Sequence, residues 1–171
     1  MEEWNMTIYQ HTVFSNVFTI FYNLINNYVP DPLSRNTKWI FAEFPESDVA
    51  ESKVKYPIII IEPANITWEK FTQTRQWNMI DIKFSVYSKQ MIQADSLLNQ
   101  INSIMDHNRN LLRNDDGLSF INLEDTDTDF ELRAGTRIHI RSARYSMKSA
   151  FISGISKIAI SKTINSNGEI A

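Results

Sequence analysis

Side chains that could attack, hold a metal or move a proton are few in this sequence, and their spacings rarely suit the task. Asp125, Asp127 and Asp129 follow the first half of a calcium-binding loop. That loop needs glycine at its sixth position and a bidentate glutamate at its twelfth, where this chain has Phe130 and Thr136, so the triplet reads as a solvated acidic turn. His11, His107 and His139 lie far apart, and none has a second ligand at helical or hairpin metal spacing. No Gly-x-Ser-x-Gly elbow exists, which leaves acyl transfer without a nucleophile in context. The chain has no cysteine, so disulfides, thiolate nucleophiles and thiolate metal sites are excluded. With only four glycines and no Gly-rich phosphate motif, no cofactor is expected. Glu62, Asp81 and Lys83 form a carboxylate and lysine set that strands could gather for a metal-dependent nuclease, at a spacing too common to be diagnostic. Catalysis is therefore not the expected role.

Arg133, Arg137, Arg141 and Arg144 are the one basic concentration. On a strand, Arg137, His139 and Arg141 share a face, because His139 alternates with Ile138 and Ile140. Such a row can meet phosphate or acidic protein; the plainer reading is a solvated face paired across strands to Glu131 or Glu124. Seventeen basic against twenty acidic residues give a net charge of −3, without the overall basicity of a general nucleic-acid binder.

The elements that must carry these residues follow from periodicity. Phe14, Val17, Phe21, Leu24 and Tyr28, widened by Val13 and Ile25, recur at three and four and predict an amphipathic helix over 12–28. Thr7 and Gln10 have capping-box spacing, Pro30 and Pro32 stop the helix, and Asn16, Asn23, Asn26 and Asn27 form its solvated side. Trp39 to Phe44 reads as a strand closed by Pro45, then Glu46 to Lys55 as an exposed loop. Ile58 to Ile61, apolar on both faces, reads as a strand buried on both sides or covered by a helix. Two strands from Ile66 to Ser88 form a long hairpin arm turning near Thr72–Arg75; in the second, Ile80, Ile82, Phe84 and Val86 alternate with Asp81, Lys83, Ser85 and Tyr87 on a wet face. A second helix over Gln90 to Asn110 gathers Ala94, Leu97, Leu98, Ile101, Ile104 and Met105, followed by a turn at Asn114-Asp115-Asp116-Gly117. Leu118–Glu124, Asp129–Leu132 and Arg137–Met147 complete the strands.

The order α-β-β-β-β-α-β-β-β implies an α+β fold: a mostly antiparallel sheet with two amphipathic helices on one face. Residues 1–150 make a single domain and 151–171, with Ile155, Ile158 and Ile160 alternating among Ser and Lys, an arm or extra edge strand. At 43% hydrophobic and 22% charged residues, neither wholesale disorder nor a membrane span is expected. Aromatics near the hairpin end, Trp68, Phe71 and Trp77 with Arg75, are the expected contacts to another polypeptide, a neighbouring subunit or a further partner, since long sheet edges and projecting aromatics invite association; core packing of one or two is the rival.

The early helix, the Tyr56-Pro57-Ile58-Ile59-Ile60-Ile61 segment, the Trp77–Tyr87 strand feeding the Ala94–Met105 helix, and Leu123–Asp129 before the closing Arg137–Met147 strand together resemble the tail terminator, tail-completion and neck proteins of long-tailed bacteriophages. The resemblance spans about Thr12 to Met147. It implies a virion structural protein, assembled in the host cytoplasm, with no active site. Such a protein forms a ring, typically a hexamer, that caps the tail tube and docks to the head connector. DNA would pass through its lumen without specific binding, with Arg137, His139 and Arg141 as a candidate lining. A small nucleic-acid-binding or nuclease-like domain is the alternative, and an unrelated adaptor a third.

Overall fold

The computed structural model describes residues 16–45, 54–70, 76–114 and 117–149. The Thr7–Gln10 cap, Val13, Phe14, His11, most of the Glu46–Lys55 loop, the Thr72–Arg75 turn with Phe71, Asp115, Asp116 and the 151–171 arm lie outside them. The chain is α+β, a mixed five-stranded sheet with three helices. In chain order the elements are α1 (described over 16–28), β1 (Ile40–Phe41), β2 (Ile58–Lys70), β3 (Gln76–Ser88), α2 (Met91–His107), α3 (Arg109–Asn114), β4 (Leu118–Arg133) and β5 (Thr136–Ser149). The strands lie in the order β1-β2-β3-β5-β4, with β1 parallel to β2 and the other pairs antiparallel.

This order departs from the expected one. The two strands expected across Ile58–Lys70 are one, because Pro63, the apparent interruption, sits beside a bulge at which Ala64 is the extra residue, and β1 pairs on the other side only with Ile59 and Ile60, so among the described residues no strand lies against Pro63 there. Leu118–Glu124 and Asp129–Leu132 likewise merge into β4, so the acidic triplet is strand and not turn. The Trp39–Phe44 strand shrinks to Ile40–Phe41, which pair with Ile59 and Ile60. The second helix breaks at Asn108, whose backbone N–H and Nδ2 both donate to the Ile104 carbonyl at 3.0 and 2.9 Å; α3 then begins and buries Leu112.

One core joins the elements. Val17, Phe21, Leu24 and Ile25 of α1 and Ala94, Leu97, Leu98, Ile101 and Met105 of α2 belong to the same buried cluster as Ile59, Ile61, Ile80, Ile82, Phe84, Val86, Ala143, Tyr145 and Met147 of the sheet. Phe84 is its hub, with the rings of Phe21 and Tyr145 edge-on at 5.5 and 5.7 Å. Tyr28 is exposed, because α1 ends there and Val29 takes the buried place, its N–H donating to Ile25. On the opposite face Ile58 and Ile60 are also buried, and Phe44 lies against Tyr87 at 5.3 Å. Ser85 and Ser142, side by side on that face, are buried too, so it is not the wet face the alternation implied.

A polar clamp fixes the approach to β2. The Asp31 carboxylate accepts the backbone N–H of Leu33 and Arg35 (3.0 and 2.8 Å) and the Arg35 guanidinium (2.7 and 2.8 Å). Arg35 donates onward to the Pro57 carbonyl at 2.7 Å and to that of Lys55, and its guanidinium lies 5.6 Å from the Trp39 ring centre. Arg35 beside it holds the Asp31 carboxyl down at about 2. Among the described residues, no helix is long and apolar enough to cross a membrane.

Candidate assembly surface

β4 is the outermost strand on one side of the sheet, and its sequence explains how it is exposed. From Asp125 onward carboxylates alternate with Thr126, Thr128, Phe130 and Leu132, so one face carries Asp125, Asp127, Asp129 and Glu131 and the other carries β-branched and apolar groups. Two irregularities, between Ser119 and Asn122 and between Leu123 and Asp125, shift the strand along β5 before regular pairing resumes at Asp125–Arg144. The ladder then runs to Arg133–Thr136 and closes through Ala134 and Gly135, both at positive φ (46° and 75°), as a two-residue hairpin turn of this hand requires. Every residue from Asn122 to Phe130 is exposed, and Leu132 is 73% exposed. Among the described residues no strand pairs with the outer edge of β4.

Charge on the acidic face is partly met within the sheet. Glu62 pairs in register with Lys83, Lys83 with Arg144 and Arg144 with Asp125, an acid-base-base-acid row across four strands in which Arg144 reaches Asp125 at 3.9 Å. Arg133 takes Glu131 through Nε and Nη2 at 2.5 and 3.1 Å and lies 3.4 Å over the Phe44 ring. Ser146 donates to Glu124.

The basic row is placed on the core side. Arg137, His139 and Arg141 fall opposite Leu132, Phe130 and Thr128 of β4. The Arg137 guanidinium stacks 4.0 Å from the Phe130 ring centre, and Arg141 forms an ion pair with Asp95 of α2, an ionic contact without a directed hydrogen bond. Arg141 thus spends its charge on α2, a partner that spacing along β5 could not reveal. Beside it, a groove of about 520 Å³ runs along α2 over Ile92, Asp95, Ser96, Asn99, Gln100 and Ser103. Ile92 is 83% exposed.

Of the expected hairpin contacts, Trp68 pairs with Asn78 and Trp77 with Glu69 in the β2–β3 register; Phe71 and Arg75 lie outside the described residues. The hairpin is not a free arm. β5 pairs with β3 as far as Asn78, so only Gln76 and Trp77 of β3 lie beyond that ladder. Glu62 and Lys83 are brought together, with Asp81 two residues along the same face. Among the described residues no three His, Asp or Glu side chains converge to hold a metal. His107 ends α2, its Nδ1–H donating to the Ser103 carbonyl at 2.7 Å. Burial pushes the phenols of Tyr87 and Tyr145 up to about 12, so both stay protonated, and Tyr145 donates to Asn102 at 2.8 Å. Neither is a proton-transfer group near neutral pH.

The alternation from Asp125 to Leu132 was the signal that could have found β4. A strand reading of D-T-D-T-D-F-E-L gives one acidic and one mixed face directly. No protein-family model matches the chain, and no curated protein matches its sequence.

Proposed function

We propose that this protein is an assembly subunit that joins copies of itself head to tail through its open sheet edge, and that the ring so formed is the terminator or neck ring at the head-proximal end of a phage tail. The observation that carries the first part is β4, a strand that among the described residues is open along its outer edge and exposed on both faces from Asn122 to Phe130. In this reading α1 and α2 cover the core face and leave β4 free for a neighbour.

Charge supports a ring over a two-fold dimer. Pairing two β4 edges about a dyad would set Glu124, Asp125, Asp127, Asp129 and Glu131 against the same five carboxylates, and like charges directly opposite are destabilising. A heterologous contact, β4 of one copy against a different surface of the next, avoids this, and it yields a ring where the rotation between copies closes. The phage setting comes from the sequence resemblance, whose order of early helix, isoleucine strand, strand into long helix and closing strand corresponds to α1, β2, β3–α2 and β5. Tail tube protein and head connector are then the partners on the two ring faces. Because Arg141 is paired with Asp95, the lumen in this reading lets DNA pass without a specific site.

Light scattering on the purified chain tests the reading. The expected mass is a single multiple of 19.9 kDa well above the dimer. A monomer at every accessible concentration, or metal-stimulated cleavage of DNA, would refute it.

A further inference from the structure

The open edge of β4 selects its occupant by charge. Between Asn122 and Leu132 it presents five carboxylates and no basic side chain. Acidic groups on an edge deter strands of like charge and leave a basic, β-prone strand as the fitting partner. The chain carries such a segment. From Phe151 to Gly168 it has two lysines, Lys157 and Lys162, no carboxylate and no proline, and from Ile155 to Ile164 it is rich in isoleucine. Its place in the chain suits the task, because Ser149, the last described residue of β5, pairs with Leu118 at the foot of β4.

We propose that the segment around Ile155–Ile164 of one copy adds as a strand to the outer edge of β4 of the next copy. This rests on the ring reading above and names its contact. Direction argues for the neighbour over the segment's own β4. Starting from Ser149, a strand along the same copy's β4 would have to be parallel to it, whereas on a neighbour the antiparallel ladder, slightly more stable per residue, is open to it. With Ile158 opposite Thr128 in that antiparallel ladder, Lys157 falls opposite Asp129 and Ile160 opposite Thr126, with Lys162 on the isoleucine face. The fourteen residues from Ala150 to Thr163 span about 45 Å when extended, enough to leave one subunit and run along the next. Because donor and acceptor surfaces differ, the contact is heterologous and repeats around a ring.

The absence of native cysteine makes disulfide trapping specific. Full-length chains bearing Thr128→Cys would be mixed with tagged chains bearing Ser156→Cys, Ile158→Cys, Ile160→Cys or Lys162→Cys in turn, oxidised and run without reductant, with light scattering on the same samples. The expected result is a tagged–untagged disulfide for one or two neighbouring positions. Its yield should fall about fivefold with Lys157→Glu and recover when the Thr128→Cys chain also carries Asp127→Lys. A multimer that gives no such disulfide at any of the four positions, or a doubly substituted chain that closes the bond only within itself, overturns this contact and leaves the ring standing. A monomer without cross-links overturns both.

Discussion

Removing the Asp31 carboxylate with Asp31→Asn should weaken the fold by an amount that depends on pH in a defined direction. The carboxylate takes two backbone N–H groups and two guanidinium N–H groups, and Arg35, 6% exposed in its side chain, carries the tie onward to Pro57 at the start of β2. Its pKa is about 2 when folded, against an ordinary 3.8, a difference worth about 2 kcal/mol. A carboxylate with a depressed folded pKa stabilises above its unfolded pKa, and the stabilisation is lost as pH falls through the folded value. The window is therefore from about pH 4 down to about pH 2. Urea unfolding followed by tryptophan fluorescence, at fixed protomer concentration because assembly shifts the apparent stability, should give a deficit of about 2 kcal/mol for Asp31→Asn at pH 7 that shrinks toward zero by pH 2. Arg35→Ala should cost more, about 3 kcal/mol, since it strands a largely buried carboxylate and two carbonyls. A deficit that stays constant between pH 7 and pH 2.5, or one under about 0.5 kcal/mol at pH 7, would refute the assignment of the clamp.

Phe84→Ala opens a cavity between Phe21 and Tyr145 and should cost about 4 kcal/mol in urea unfolding; a loss under about 1 kcal/mol would show that the cluster is not centred there. Ala134→Asn keeps the left-handed turn with a residue that tolerates it and should raise stability by about 0.5 kcal/mol, read as a small upward shift in melting temperature. Leu132→Glu, at a 73% exposed position, should leave monomer stability within about 0.5 kcal/mol and shift the concentration midpoint of assembly about tenfold upward in sedimentation. Trp68→Glu, on the hairpin, should also impede assembly if the expected aromatic contact is used; an unchanged midpoint would remove Trp68 from the interface.

Long periodic segments were legible in the sequence. The α2 stripe Ala94–Leu97–Leu98–Ile101–Met105 and the β3 alternation Ile80–Ile82–Phe84–Val86 each have enough repeats to fix an element and its buried face, and all nine side chains are buried. What failed was joining. Pro63 and the Asp-Thr repeat of 125–129 look like breaks, but Pro63 pairs with Ile82 beside a bulge, and 125–129 pair with β5 on one side while among the described residues no strand meets their other edge. Side-chain commitments across elements were also out of reach. Arg141 with Asp95, Arg133 over Phe44, and Arg35 with the Pro57 carbonyl join residues 22 to 89 positions apart, and nothing in their local pattern marks one for the other. The candidate site was legible only as a composition, four carboxylates and an arginine cluster. Its meaning came from the sheet order, which leaves β4 outermost.

Negative-stain images of the purified full chain bear most directly on whether the protein works by assembly. The account predicts closed rings with rotational symmetry above two-fold in the class averages, lost in the Leu132→Glu chain at the same concentration. Isolated single particles, or dimers related by a dyad, would contradict it.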